Sequence, residues 1–283
     1  PTFAEEFLNV IKTHYITSVF SPHFMVQKAL EKLCEEENIE IKFCSSPVPK
    51  RSTSTEEILS IFCCSHEIKI KDVIDIGIQY GTPFLMNTFK QAKHHLVEPV
   101  KQFHASIEEK YKERGIDYEL IPVALSDKDA PLILHEYDFI KKGITSHSSL
   151  RPEILDHPKL YKTSKVIVTT LDDICRTKSL IELSYVVKID VDGLEEKIIN
   201  GGTKTLKNSA LVILEAPLDK LHQRLGMLLE LGFELWDICD PAYYHAQLSQ
   251  VDLVFINKKI KKENIKFRPW DQGPLNLDMW QGR

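Results

Sequence analysis

From Lys69 onward, short apolar runs alternate with longer stretches whose apolar residues recur every three or four positions. The short runs are Val73–Ile76, His95–Val97, Tyr118–Pro122, Val166–Thr169, Tyr185–Ile189, Leu211–Leu214, Phe233–Ile238 and Leu253–Ile256. They are rich in β-branched and aromatic residues and read as strands. Pro99–Arg114, Leu194–Lys207 and Leu218–Leu231, between them, read as amphipathic helices. This alternation predicts an α/β fold, a mostly parallel sheet with helices on both faces. Ligands of such sheets sit beyond the carboxyl ends of the strands, so the residues just after each strand are the ones to inspect.

The N-terminal part has a different texture. Ser21-Pro22 reads as a helix cap with proline at the first helical position, followed by Phe24, Met25, Ala29, Leu30, Leu33 and Cys34 on one face. Ile39–Phe43 is strand-like, Ser45–Pro49 is a break, and Thr55-Glu56-Glu57 opens a helix running through Ile61. At the other end Lys259, Lys261, Lys262, Lys266 and Arg268 form a basic tail. These changes divide the chain into an N-terminal helical extension (1–68), a core domain (69–258) and a C-terminal tail (259–283).

Composition narrows the classes of function. Of 283 residues, 43% are hydrophobic and 27% charged, as in an ordinary soluble protein. With 36 Lys and Arg against 41 Asp and Glu, the net charge of −5 argues against a nucleic-acid partner. The longest charge-free stretch, Thr13–Gln27, has 15 residues and several polar ones, too few to span a bilayer. No signal core opens the sequence, and the six cysteines include no C-x-x-C pair. A cytoplasmic setting with reduced thiols is therefore expected.

The first core strand runs into its turn as Val73-Ile74-Asp75-Ile76-Gly77-Ile78-Gln79-Tyr80-Gly81. Gly77 lets backbone approach a ligand closely and Gly81 permits tight entry into the next helix. Neither G-x-G-x-x-G nor G-K-[ST] occurs, so dinucleotide and P-loop readings lose their main support. An acid beside the turn would repel a pyrophosphate and suits a ligand carrying positive charge. The second strand ends in Glu98-Pro99, and a carboxylate there can accept hydrogen bonds from both hydroxyls of a ribose.

These elements resemble the FkbM family of S-adenosylmethionine-dependent methyltransferases. The resemblance continues through VALSDKDA (123–130), ITSHSSL (144–150), VIVTTLDDI (166–174), KIDVDGLEEKIINGG (188–202), LVILEAP (211–217) and VDLVFIN (251–257). It implies a Rossmann-like class I methyltransferase fold with a seven-stranded sheet, and S-adenosylmethionine as cofactor. Carried over by position, Asp75, Gly77 and Gly81 would line the methionine end, Glu98 would take the ribose, and Ser126 and Asp127 would lie by the adenine. Ile78-Gln79-Tyr80 stands where the family usually has Ala-Asn after the glycine.

Methyl transfer to a hydroxyl gains from a base that removes the proton as attack proceeds. Asp190 closes a buried strand, where an acid is costly without a partner; Glu215 ends the next; His147 lies in the S-H-S-S loop. These three are the candidate catalytic residues, and no metal is expected. Asp192 and Glu195 read equally as caps of the following helix. The segment 130–165 departs from the strand–helix rhythm and is expected on the acceptor side. The family resemblance implies O-methylation of a small-molecule, sugar or glycan acceptor. A lipid, polyketide or amine acceptor, and a non-catalytic binding module of the same fold, remain open alternatives, as does a homo-oligomer.

Overall fold

The computed structural model describes residues 18–19, 42–43, 54–66, 68–128, 130–138, 145, 147–150, 160–244 and 247–260. The helix expected behind Ser21 and the tail beyond Ile260 lie outside these residues. The chain divides into two compact units, residues 1–51 with 276–283, and residues 52–275. In the first, Ser18–Val19 pairs in parallel with Lys42–Phe43.

The larger unit contains eleven described strands and seven described helices. A seven-stranded sheet is formed by β1 (Asp72–Ile76), β2 (Lys93–Val97), β3 (Tyr118–Ile121), β8 (Tyr185–Ile189), β9 (Leu211–Pro217), β10 (Phe233–Tyr244) and β11 (Gln247–Asn257). Between these, β4 (Ala124–Leu125), β5 (Ala130–Tyr137), β6 (His147–Ser149) and β7 (Leu160–Thr169) build a second sheet. The large sheet has the order β10-β11-β9-β8-β1-β2-β3. Five strands run parallel, and β11 lies antiparallel to both neighbours. This is the Rossmann-like, mostly parallel seven-stranded sheet expected from the sequence. Ile76 is level with Val97 on one side and Ile189 on the other, and Ile189 is level with Leu214. The residues that follow Ile76, Val97, Ile189 and Leu214 therefore lie along one edge, with β9 running on through Glu215 to Pro217 and the strand order reversing between β1 and β8.

Val166–Thr169, expected in the main sheet, instead forms the end of β7 in the second sheet, whose order is β4-β7-β5-β6. Its side chains show why. Val168 is buried while Ile167 is 70% exposed, the one-sided alternation of an antiparallel sheet rather than of a strand covered on both faces. The described residues of the irregular segment thus fall mostly in this second sheet, whose pairs other than β4–β7 are antiparallel. Within it the buried Glu136 accepts from Thr145 Oγ1 at 2.6 Å and Ser164 Oγ at 3.0 Å, tying the approach to β6 onto β5 and β7.

The helices are α1 (Thr55–His66), α2 (Pro83–Thr88), α3 (Lys101–Arg114), α4 (Leu171–Arg176), α5 (Glu195–Gly201), α6 (Thr203–Asn208) and α7 (Leu221–Glu230). Although it precedes residue 69, α1 belongs to the core. Ile58, Leu59 and Phe62 are buried with Val73, Val186 and Ile213 of the sheet. Three such side chains contribute roughly 1.5–3 kcal/mol each on removal from water. Its start is a reciprocal cap: Ser54 Oγ accepts from Glu57 N–H at 3.2 Å while Glu57 Oε2 accepts from Ser54 N–H at 3.4 Å.

The T-L-D-D stretch has a structural explanation of the same kind. Thr170 Oγ1 accepts from Asp173 N–H at 3.0 Å and caps α4, whereas Asp172 accepts from Thr205 N–H at 2.8 Å and Lys204 N–H at 3.2 Å at the start of α6.

Candidate active site

A cavity of about 310 Å³ opens at the carboxyl edge of the sheet, between the ends of β1, β2, β8 and β9. Gly77 and Gln79, Glu98, Asp190 to Asp192 and Glu215 line it from those strands; Val123 to Leu125 and His147 to Leu150 line it from the second sheet. The turn after β1 is built around close backbone contact. Gly77 has φ +78°, and a Cβ there would stand 1.8 Å from the Asp190 carbonyl oxygen. Only glycine allows β1 and β8 to leave the sheet so close together.

The unusual Ile78-Gln79-Tyr80 insert follows. Ile78 is buried, Gln79 is left-handed at φ 49°, and Tyr80 packs edge-on against Phe103 at 4.7 Å between ring centres. This conformation aims Gln79 N–H at Glu98 Oε2, 2.8 Å away, while Val100 N–H reaches Oε1 at 2.8 Å. Glu98 is thereby fixed, and each oxygen keeps a second lone pair for a ligand. Burial pushes its carboxyl up to about 7, against the opposing effect of those two N–H groups.

Of the expected cofactor residues, Gly77 and Glu98 line the cavity, whereas Asp75, Gly81, Ser126 and Asp127 do not. Asp75 lies between Ile74 and Ile76 on β1, so strand alternation turns it to the opposite face. There it stands beside Lys188, its cross-strand neighbour, with 3.6 Å between Asp75 Oδ1 and Nζ. Gly81 adopts φ +109° at the entry to α2. Ser126 is buried beyond the cavity wall, its N–H bonded to Thr169 O, and Asp127 is exposed.

The candidate catalytic residues do come together. Asp190, Glu215 and His147 all line the cavity. Lys188 Nζ lies 2.9 Å from Asp190 Oδ2 and donates to Gly77 O at 3.5 Å, so one buried ammonium serves the acid behind the wall and the acid at its rim. Burial would lower the Lys188 ammonium; the charges of Asp75 and Asp190 overcome this and raise it. Glu215 is pushed up to about 8, first by burial and then by the charges of Asp190, Glu195 and Asp252. Gln250 Nε2 donates to its Oε1. Among the described residues, no group of three or more His, Cys, Asp or Glu could hold a metal ion.

The K-x-D-V-x-G-x-E element does more than mark the rim. Asp192 Oδ2 accepts from Ser148 N–H at 3.2 Å and its carbonyl from Ser149 Oγ at 3.3 Å, docking the S-S-L loop on β8. Glu195 is buried against Arg224 of α7, which also donates to Glu196 Oε1 at 3.1 Å and to Glu215 O at 2.6 Å. Burial pushes Glu195 up to about 7 despite that guanidinium. Arg224 and Gln250 are thus site residues that sequence reading misses. Both act across the fold on β9, and neither sits in a local pattern.

The family model of the methyltransferase FkbM domain matches residues 75–235, more than half of the chain. The chain belongs to this family. This FkbM-domain protein is accordingly an S-adenosylmethionine-dependent methyltransferase with a class I fold. Among solved structures it is similar to a precorrin-6y C5,15-methyltransferase from Geobacter metallireducens GS-15, at 15% identity, 75% of this chain, 92% of that chain and TM-score 0.39. It is also similar to an rRNA methylase from Streptococcus thermophilus, at 9% identity, 72% and 93% coverage and TM-score 0.42. A third is a ribosomal protein L11 methylase from Lactobacillus delbrueckii subsp. bulgaricus, at 11% identity, 76% and 90% coverage and TM-score 0.40. Comparison with curated proteins gives no match. No helix among the described residues is long and apolar enough to cross a membrane.

The cavity suits the cofactor chemically. Glu98 offers fixed acceptor lone pairs for a diol, Gly77 leaves backbone open to close approach, and the acids at the β8 and β9 rims favour a cationic group.

Proposed function

We propose that this FkbM-domain protein transfers a methyl group to a hydroxyl of a small acceptor, a sugar or glycan unit. In this reading Gly77 and Glu98 hold S-adenosylmethionine, whose sulfonium supplies an already activated methyl group. Ser126 and Asp127 flank the adenine end from outside the described lining, and Asp75 acts from behind the wall through Lys188. The net charge of −5 supports a small acceptor over a nucleic acid, and the cysteine content supports a cytoplasmic setting.

The observation that carries the reading is the position of Glu215. It lines the cofactor cavity and also a second cavity beside it, so it faces the place where two reactants would meet. A carboxyl pushed up to about 8 is matched to removing a proton from a hydroxyl near neutral pH. Asp190, its charge set against Lys188, orients the acceptor hydroxyl, and His147 stands at the same junction as an alternative proton carrier. The loop His147–Leu150, docked on Asp192, covers the site and limits water.

The test is turnover, followed as formation of S-adenosylhomocysteine with a set of sugar acceptors. Activity should rise with pH through about 8 as Glu215 loses its proton, and Glu215→Gln should remove both the rise and most of the rate. The cofactor affinity of that variant, measured by calorimetry, should stay within about threefold of the parent. Unchanged turnover in both Glu215→Gln and Asp190→Asn would end the catalytic assignment while leaving the family membership intact.

A further inference from the structure

The second cavity measures about 270 Å³ and shares six lining residues with the first: His147, Ser148, Ser149, Val191, Asp192 and Glu215. Beyond that shared wall it is bounded by Tyr137, Gly193, Glu195, Pro217, Arg224 and Gln250. Its size falls just below the roughly 300–1,000 Å³ typical of drug-sized ligand pockets, leaving room for one ring rather than an extended chain.

Its chemistry is one-sided. The carboxyl groups of Asp192 and Glu215 present acceptor oxygens at the junction with the cofactor cavity. Its cation is already engaged. Arg224 brings a full positive charge, yet that charge is set against Glu195 and Glu196, and three of its five N–H groups go to Glu195, Glu196 and the Glu215 carbonyl. One N–H of Gln250 Nε2 goes to Glu215, and Ser148 N–H goes to Asp192. A ligand entering here meets three acids, Asp192, Glu195 and Glu215, against one guanidinium already paired with Glu195 and Glu196, so its hydroxyls find acceptors and a negative charge on it finds no unpaired cation among the guanidinium and ammonium groups of the described lining.

We propose that this second cavity is the acceptor pocket, and that it takes a compact, donor-rich ring that is uncharged or cationic while excluding phosphorylated or otherwise anionic acceptors. The inference rests on the methyl-transfer reading and adds to it the charge and size of the acceptor. Tyr137 and Pro217 supply apolar contact for one face of such a ring, and the acids at the shared wall draw its hydroxyl toward the cofactor side.

The experiment uses the full chain saturated with S-adenosylhomocysteine, and saturation-transfer NMR with three probes: methyl glucoside, glucosamine and a glucose phosphate. The first two should bind, and the phosphate should bind at least about tenfold more weakly. Pro217→Trp, which fills the cavity, should abolish the signal while calorimetry still shows S-adenosylhomocysteine binding. Gln250→Arg, which adds a cation to the lining, should close the gap between phosphate and neutral probe by about tenfold. The proposal is overturned if the phosphate binds as well as the glucoside, or if neither uncharged nor cationic probe binds. It is equally overturned if Pro217→Trp binds the probes normally, or if Gln250→Arg leaves the preference unchanged, the readout that decides should Pro217→Trp not fold. Folded protein that fails to bind S-adenosylhomocysteine would overturn the methyl-transfer reading and this proposal together.

Discussion

Replacing Arg224 by Met tests how the site is held together. The guanidinium is 3% exposed and makes three contacts: with Glu195, itself 1% exposed, with Glu196, which is 19% exposed, and with the carbonyl of Glu215. Methionine fills similar volume, so the loss is electrostatic rather than a cavity. Removing one partner of a buried pair typically costs about 3–5 kcal/mol, because the other charge stays buried and unpaired. For a unit of this size that corresponds to a fall in melting temperature of roughly 6–20 °C.

The cost must also depend on pH. Burial already pushes Glu195 up to about 7 with Arg224 opposing. Without Arg224 the folded state holds that proton still more firmly, so stability present at low pH is lost as pH rises. Thermal and urea unfolding at about pH 5.5 and about pH 8.5 should therefore show the larger penalty at the higher pH. Glu195→Gln in the Arg224→Met background should restore about 2 kcal/mol at the higher pH, a coupling that distant sites do not show. A penalty below about 1 kcal/mol, or one equal at both pH values, would refute the account of Arg224 as the neutraliser of a buried carboxylate.

Other expectations follow from separate features. Gly77→Ala combines a φ of +78° with a Cβ 1.8 Å from Asp190 O; it should destabilise by more than about 2 kcal/mol in urea unfolding and abolish cofactor binding by calorimetry. Glu98, raised from 4.5 to about 7, favours the folded state fully below its unfolded value and loses that contribution as pH rises toward 7. Glu98→Gln should thus flatten up to about 3 kcal/mol of the acid-side pH dependence of stability, and cofactor affinity should no longer vary across that window. Thr170→Ala removes the cap of α4 and should cost about 1 kcal/mol in unfolding without changing cofactor affinity.

What the sequence made legible was local. Short apolar runs set between helical stretches located β1, β2, β8 and β9, and the strand-end rule then pointed to Gly77, Glu98, Asp190 and Glu215, which do share one cavity. The two-residue period of any strand also bears on Asp75, which lies between two core isoleucines and must face away from them. Which sheet a strand joins is not local: Val166–Thr169 is as apolar as β9, and only its pairing with Ala124–Leu125 and β5 places it elsewhere. Arg224 was hidden for a similar reason. Its partners lie on α5 and β9, and an arginine between Gln223 and Leu225 on an amphipathic helix gives no sign that it points inward.

β11 runs against its neighbours, so it brings to the cavity edge its early part, not its end. Glu215 faces Asp252 and Pro217 faces Gln250 across that antiparallel register. The length of the connection from β10 therefore acts as a ruler for what the second cavity presents. A single-residue change that slipped β11 by one position would turn Gln250 to the other face of the sheet and free Glu215 of its donor. The register of β11 against β9 and β10 thus decides which side chain meets Glu215, with no substitution in the cavity itself.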